Sequence, residues 1–373
     1  MAKNPIEQRR QRYFQFSSQI AQMDNARLRS LVGASESRGG WGWNHTIDLG
    51  SAKVFVKRIP VTDLEYENLL STKNLFHLPT YYNYGVGSAG LGVFRELVAH
   101  IKTTNWVLDG RIETFPLMYH YRLLPFAGER KEVDREWHQR YVESWGRDEN
   151  IGRYMLDRAG ADHELVLFLE YIPQVLHTWL QANLGKADST LDELCATIDF
   201  LRKNGIIHFD AHFHNVVTDG ERPYLTDFGL VLDRSFALAE DEAAFFRANT
   251  HYDYGMILGC LGGLVYNTYE ALPKGDQHRI GEKYGMAEGG DGYKRMSVFL
   301  DHIEEIHADG VLKLDQRAVT SVVRYRSIIA LMQDFFVDMS RNEKKDTKFR
   351  HAQLRRLLKE AKVGAIVSDV PNG

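Results

Sequence analysis

A short polar stretch in the second half of the chain carries residue types that suit phosphoryl transfer. Residues 208–215 read HFDAHFHN, and the triplet DFG at 227–229 begins twelve residues after Asn215. An Asp with an Asn five positions later can accept the proton of an attacking hydroxyl, while the Asn amide oxygen binds a metal ion. Asp227 would supply the hard carboxylate that Mg²⁺ prefers. The spacing therefore predicts Asp210 as a catalytic base and Asn215 and Asp227 as magnesium ligands.

Two short strands are predicted to connect the two metal ligands. Residues 216–218 and 224–226 have strand-forming side chains, and Asp219-Gly220 with Pro223 supplies turn residues between them. A hairpin of this kind would bring Asn215 and Asp227 to the same end of the hairpin.

The residues before His208 predict a helix that leads into the polar stretch. Residues 190–193 read TLDE, a capping-box pattern, and apolar residues recur at helical spacing from Leu191 to Leu201. Gly205 suits the left-handed position that follows a helix. Two β-branched residues then lead to His208.

The combined pattern HxDxxxxN and DFG resembles the catalytic core of the protein-kinase-like superfamily, which includes protein kinases and aminoglycoside, choline and lipopolysaccharide kinases. The resemblance implies an α+β, two-lobed protein-kinase-like fold, with a small β-rich N-lobe carrying helical insertions and a mainly helical C-lobe. It implies transfer of the γ-phosphate of ATP, bound with Mg²⁺, to a hydroxyl, with His208, Asp210 and His212 in the catalytic loop. We expect an N-terminal helical extension over 1–24, the N-lobe over 25–170 and the C-lobe over 171–373.

The N-terminal half offers parts for binding the phosphates of a nucleotide. Gly39, Gly40 and Gly42 form a glycine-rich turn, and glycines let backbone amides approach phosphate closely. An ordinary hairpin turn explains these glycines equally well. The alternating strand 54–59 places Lys57 where the superfamily keeps its phosphate-binding lysine; a solvated strand lysine is the alternative.

The superfamily lysine pairs with a glutamate on a helix, and two glutamates compete for this role. Glu67 lies in a short helical segment ten residues after Lys57, as in aminoglycoside kinases, and is the favoured partner. Glu96 lies in the equally helical segment 94–100 and stays open as the alternative.

The apolar strand 165–172 resembles the strand and hinge that join the two lobes. The resemblance implies that adenine hydrogen-bonds the backbone around Glu170, Tyr171 and Ile172. The charged segment of about 128–162 is interpreted as an insertion that packs on the small lobe, with substrate binding as the alternative. Asp253, which opens a later helix, resembles the buried aspartate that binds the catalytic-loop backbone.

The acceptor stays open between two classes of kinase. The DFG triplet and the Asp253 helix favour a protein serine/threonine kinase. His212 in place of the usual lysine, and the short segment 230–252, favour a small-molecule kinase of aminoglycoside, choline or lipopolysaccharide-sugar type. Phe209 replaces the arginine that pairs with a phosphorylated activation loop, so we expect no phosphorylation switch there.

Three other functions compete with a kinase. The histidines 208, 212 and 214 with Asp210 could form a metal-hydrolase centre. A catalytically inactive nucleotide-binding scaffold and a nucleotidyl transferase on the same fold are the other two. A metal hydrolase would leave Asn215, Asp227 and Lys57 unexplained. The presence of every catalytic residue type argues against an inactive scaffold.

Composition sets the remaining bounds. The 373 residues carry a net charge of −4, which argues against nucleic acid as the default partner. Cys195 and Cys260 fall in apolar helical patterns, which indicates buried thiols and a cytoplasmic location. The longest apolar run, 255–266, is too short to span a bilayer and predicts a core helix. Segment 341–362 carries nine basic against three acidic residues and is predicted to pack as a terminal helix, with an anionic partner as the alternative.

Overall fold

The computed structural model describes residues 5–33, 38–39, 42–50, 52–126, 133–286 and 291–363. The chain divides into two compact units. It is a mixed α+β protein, with an antiparallel sheet in its N-terminal part and helices over most of its C-terminal part. The first unit consists of residues 1–173, 226–245 and 343–345, and the second of residues 174–225, 246–342 and 346–373.

The first unit is built around a five-stranded antiparallel sheet. Its strands are β1 (Arg38–Gly39), β2 (Gly42–Leu49), β3 (Ala52–Val61), β4 (Met118–Pro125) and β5 (His163–Glu170). They lie in the order β1-β2-β3-β5-β4. The central strand β3 pairs with β2 on one side and with β5 on the other, and Lys57 lies opposite Asn44 and Leu167. Gly50 takes a φ of +65° in the β2–β3 turn, a conformation that glycine adopts at little cost.

Helices of the first unit cover the sheet and extend its core. The first unit contains α1 (Pro5–Ala21), α2 (Asn25–Val32), α3 (Asp63–Glu67), a 3-10 turn (Thr80–Tyr84), α4 (Val93–Leu108), α5 (Arg135–Ser144), α6 (Glu149–Ala159) and a short strand (Leu232–Asp233). Val93 and Leu97 of α4 pack on Leu165 and Leu167 of β5 in one buried cluster. Burial of such side chains is worth about 1.5–3 kcal/mol each and fixes α4 against the sheet.

The segment interpreted as an insertion packs within the first unit. Trp145, Ile151 and Tyr154 share a buried cluster with Phe76 and Tyr82. Residues 127–132, at its start, lie outside the described residues.

The second unit is mostly helical. Its elements are β6 (Gln174–Val175), α7 (Leu176–Ala182), a 3-10 turn (Leu184–Lys186), α8 (Ala187–Lys203), β7 (Ile206–Ile207), a 3-10 turn (Phe213–Asn215), β8 (Val216–Thr218), β9 (Pro223–Leu225), α9 (Glu240–Asn249, which begins in the first unit), α10 (Tyr252–Glu270), α11 (Lys274–Tyr284), α12 (Gly292–Asp301), α13 (Ile303–Ala308), α14 (Gln316–Arg341) and α15 (His351–Glu360). The predicted core helix is α10. Helix α14 packs closely against it, since a Cβ added to Gly262 of α10 would lie only 2.6 Å from the Ile329 side chain of α14.

The hairpin and its preceding helix differ in detail from expectation. Helix α8 begins at Ala187, so residue Thr190 lies inside the helix and its predicted capping role is wrong. The Leu184–Lys186 turn runs directly into α8 and starts the helix earlier. Gly205 has the predicted left-handed conformation, with φ +76°. Pro223 belongs to β9, opposite Thr218, rather than to the turn.

The basic C-terminal segment forms the terminal helix that was predicted. Leu354, Leu357 and Leu358 of α15 are buried, together with Phe349 before it. Among the described residues, no helix is both long and apolar enough to cross a membrane. Both cysteines are free thiols.

Candidate active site

In the first unit, Lys57 lies between two carboxylates. Its Nζ atom donates to Glu96 Oε1 at 2.6 Å and to Asp227 Oδ1 at 2.7 Å. Lys57 comes from β3, Glu96 from the first turn of α4, and Asp227 from the DFG triplet. The Lys57 and Glu96 side chains are 12% and 5% exposed, whereas that of Asp227 is 42% exposed. A cation held at its place by a buried partner and facing an accessible carboxylate suits phosphate binding.

The partner of Lys57 is Glu96, and the preference for Glu67 was wrong. Glu67 ends the five-residue helix α3 and is exposed. A capping box between Thr62 and Glu65 orients this helix, so Glu65 is the inward-facing glutamate. Glu65 Oε1 accepts a hydrogen bond from the Val93 amide at the start of α4. The short helix therefore supports the helix that carries Glu96.

Charge keeps both members of the buried pair ionised. Burial alone would lower the pKa of Lys57, but the carboxylates of Asp227 and Glu96 hold that pKa above its ordinary value. Burial would likewise raise the pKa of Glu96, but the Lys57 ammonium holds it below its ordinary value. Lys57 is consequently an ammonium ion at any physiological pH.

The DFG triplet is fixed to the same helix. Asp227 has a φ of +61°, a left-handed conformation that aspartate tolerates better than most residues. Phe228 is fully buried and packs edge-on to His100, with ring centroids 5.0 Å apart. His100 lies one turn after Glu96 on α4, so the aromatic contact and the ion pair hold Asp227 in register with Glu96.

Sequence reasoning missed a glycine that supports this triplet. Gly90, with φ +85°, lies so close to the Gly229 carbonyl that no Cβ would fit. The Ala89 amide donates to Tyr82 Oη, which shares a 2.6 Å hydrogen bond with Tyr141 Oη of the insertion. The insertion therefore holds the segment that contacts the DFG backbone. The repeated glycines of residues 85–92 were the available signal.

In the second unit, Asp210 and Asn215 hydrogen-bond directly. Asn215 Nδ2 donates to Asp210 Oδ2 at 2.7 Å and to the Asp210 carbonyl at 3.1 Å. His212 Nε2 lies 3.4 Å from Asp210 Oδ1. The Asp210 side chain is 23% exposed, so its carboxylate is accessible but oriented. These features suit a general base.

Buried contacts hold the loop that carries Asp210. The amides of His208 and Phe209 donate to Asp253 Oδ2 and Oδ1, at 2.7 and 2.8 Å, as predicted. Burial raises the pKa of Asp253 to about 7, against the effect of these two hydrogen bonds. Phe209 has a φ of +65° and packs on Tyr252. Apolar packing of the Phe209 ring thus helps to hold this loop.

His208, predicted as catalytic, has a positioning role. Its side chain is fully buried, and its Nδ1 atom accepts a hydrogen bond from the Asp210 amide at 3.2 Å. It fixes the backbone next to the candidate base and offers no exposed atom for chemistry.

In the segment predicted as the hinge, the first residue has a backbone hydrogen bond, whereas the next two have none among the described residues. The Glu170 amide donates to the Leu117 carbonyl at 2.7 Å and ends strand β5. The backbones of Tyr171 and Ile172 make no hydrogen bond to any other described residue. Their amide and carbonyl groups therefore remain available to a ligand with donor and acceptor groups on one edge, such as adenine.

The side chain of Glu170 has a partner that the sequence did not indicate. Arg9 of α1 binds it through Nε and Nη2, at 3.0 and 2.8 Å, and Nη2 also donates to the Phe115 carbonyl. Both side chains are 7% exposed. The N-terminal helix therefore fixes the strand that leads into Tyr171.

The glycine-rich turn is described only in part. Gly39 and Gly42 pair across the β1–β2 hairpin, and Gly40 lies outside the described residues. A Cβ on Gly42 would lie 2.5 Å from the Arg58 carbonyl. Close strand packing is thus enough to require glycine at that position.

The oxygen atoms of the predicted metal ligands suit Mg²⁺ and do not suit a zinc hydrolase. Asn215 uses its amide nitrogen on Asp210, and its amide oxygen has no partner among the described residues. Asp227 supplies a hard carboxylate. Within the described part of the chain, no group of three or more His, Cys, Asp or Glu side chains is arranged to hold a metal. His214 stacks on His177, with ring centroids 4.1 Å apart, rather than joining His208.

No protein-family model matches the chain, and no curated protein is significantly similar to it.

Proposed function

We propose that the protein is an ATP-dependent phosphotransferase with a two-lobed protein-kinase-like fold. It transfers the γ-phosphate of ATP to a hydroxyl group. The buried Lys57–Glu96 ion pair, with Asp227 on the same ammonium, is the observation that carries the proposal. A lysine on a central strand, a glutamate on a helix and a DFG aspartate are the parts that orient nucleotide phosphates in kinases.

The residues of the second unit supply the chemistry at the acceptor. The Asp210 carboxylate accepts the proton of the acceptor hydroxyl as its oxygen attacks the γ-phosphorus, and ADP leaves. Asn215 orients Asp210 through its amide nitrogen. Asn215 and Asp227 would each offer an oxygen ligand to Mg²⁺, and the metal would supply positive charge to the nucleotide phosphates.

The adenine end binds to the backbone of Tyr171 and Ile172, whose hydrogen-bonding groups have no partner in the described part of the chain. Adenosine has no phosphates, so its binding should depend on these backbone groups. It should not depend on the side chains that bind phosphate or transfer the proton.

The acceptor hydroxyl belongs to a protein serine or threonine in this proposal. A small-molecule kinase of aminoglycoside, choline or sugar type is the second candidate. His212 favours it, because its ring contacts Asp210 where protein kinases place a lysine. Labelled ATP offered with serine/threonine protein substrates, and separately with aminoglycosides and sugars, separates the two.

Replacing Asp227 by alanine is expected to weaken the binding of Mg-ATP by about tenfold or more, because a charge-assisted contact to the metal and phosphates is lost. Metal-free adenosine should bind the variant and the natural protein alike. Calorimetry with both ligands checks this, with Glu67→Ala as the control that removes an exposed carboxylate from the same unit. Equal losses for the two ligands would remove Asp227 from the phosphate site.

A further inference from the structure

An open cavity of about 610 Å³ in the second unit has a strongly basic lining. Arg247 from the end of α9 and Arg350 and Arg355 at the start of α15 line it. Phe349 adds an apolar surface, and no acidic side chain is among the lining residues. The chain as a whole is acidic, so this concentration of cations is a local feature.

The three guanidinium groups have no ion-pair or hydrogen-bond partner among the described residues. Other arginines nearby in the chain are paired: Arg356 with Glu360, and Arg341 with Asp291. The three lining arginines are exposed, so their unpaired charges are accessible to a ligand in the open cavity.

Two residues with unpaired backbone amides also line the cavity. No side chain caps the start of α15, and the His351 amide donates to the Phe349 carbonyl. The amides of Ala352 and Gln353, both lining residues, have no partner in the described part of the chain. Unpaired amides at a helix start add to the attraction of the arginines for an anion.

Two imidazoles at or near the cavity have lowered pKa values, mainly because they are buried. Burial and then the charge of Arg355 lower the pKa of His351, which lines the cavity. Burial, followed by Arg202, Arg355 and Lys359, lowers the pKa of His251 to about 4. Both imidazoles are neutral at pH 7, so the charge available to a ligand comes from the arginines.

We propose that this cavity binds a phosphate monoester, which makes it a ligand site separate from the proposed phosphotransfer site. Planar guanidinium groups match the oxygens of a phosphate dianion in pairs, and two backbone amides can serve the remaining oxygen. The volume exceeds that of a phosphate ion and leaves room for an organic group beside Phe349. The site does not depend on whether the chain transfers phosphate.

Calorimetry with phenyl phosphate on the full chain, at fixed ionic strength, tests the proposal. The natural protein should bind it saturably at one site, at least about threefold more tightly than inorganic phosphate, since the organic group adds apolar contact. The double variant Arg350→Gln/Arg355→Gln should lose about tenfold or more in affinity. Arg356→Gln, on the same helix but paired with Glu360, should bind normally.

Two further variants make the outcome decisive. Arg247→Gln changes the cavity from a different helix, so a loss shared with the double variant cannot be attributed to a misfolded α15. Lys57→Met removes the proposed nucleotide lysine and should leave phenyl phosphate binding intact. Equal affinity for inorganic phosphate, binding that survives in both arginine variants, binding lost in Lys57→Met, or retention on heparin without monoester binding would each overturn the proposal.

Discussion

Replacing Asp210 by alanine is expected to slow phosphate transfer by about 10²–10⁴-fold, the usual contribution of a positioned general base. The fold should survive, because the side chain is partly exposed and Asn215 keeps its hydrogen bond to the Asp210 carbonyl. Nucleotide affinity should also survive, because Lys57 and Asp227 are unchanged. Initial rates with saturating Mg-ATP, together with melting temperatures, check this expectation.

The control for Asp210 is Glu221→Ala, which removes an exposed carboxylate from the turn of the same hairpin. It should keep the full rate. A loss below about tenfold in Asp210→Ala, measured in the same assay, would show that another group accepts the proton.

The second large effect concerns stability. Asp253→Ala leaves the buried amides of His208 and Phe209 without an acceptor, and each such loss costs about 1–3 kcal/mol. We therefore expect the free energy of unfolding to fall by about 2–6 kcal/mol. Asp253→Asn keeps one acceptor oxygen, so its free energy of unfolding should lie between those of Asp253→Ala and the natural protein. Urea unfolding measures both, and an alanine variant as stable as the natural protein would contradict the role of Asp253.

The same residue gives a pH signature. Burial raises the pKa of Asp253 to about 7 in the folded state, above the value of about 3.9 expected when unfolded. The folded state therefore binds more protons between these values, and the contribution of Asp253 to stability falls as pH rises through this window. Three pKa units correspond to about 4 kcal/mol. The stability of the natural protein relative to Asp253→Asn should therefore fall by about 3 kcal/mol from pH 4 to pH 7, most of the full effect.

Local sequence was enough to find the loop that holds Asp210. Its residues lie close together in the chain, so their contacts follow from spacing, and Asn215 does bind Asp210. The role of Asp253 was expected from the resemblance to protein kinases, and its carboxylate does accept from the amides of His208 and Phe209. The mixed α+β class was expected from the family resemblance, and the core helix α10 was expected from the apolar run 255–266.

Contacts that depend on tertiary packing could not be read in the same way. Glu67 and Glu96 both lie on helical patterns, and the choice depends on how the Thr62–Glu65 capping box orients α3. Arg9 gave no signal, because a buried arginine 161 positions from its glutamate looks like any exposed one in the sequence. His208 was misassigned because its type suggests chemistry, whereas burial gives it a structural hydrogen bond.

The N-terminal helix has a larger part in the candidate site than its position suggests. Arg9 and Glu170 form a buried pair that also involves backbone of the segment before β4. A buried ion pair is weak evidence for net stability, because well-packed apolar groups in its place are often as stable. This pair fixes the end of β5, directly before the backbone groups of Tyr171 that are proposed to bind adenine.

The central claim is tested most directly by mixing the full chain with ATP labelled on its γ-phosphate. Label on an acceptor, and ADP, should form with Mg²⁺ and a hydroxyl-bearing acceptor, and both should drop to background in Asp210→Ala and without the metal. If the natural protein binds ATP but forms no more ADP and labelled product than Asp210→Ala with any protein, aminoglycoside or sugar acceptor, the account is contradicted.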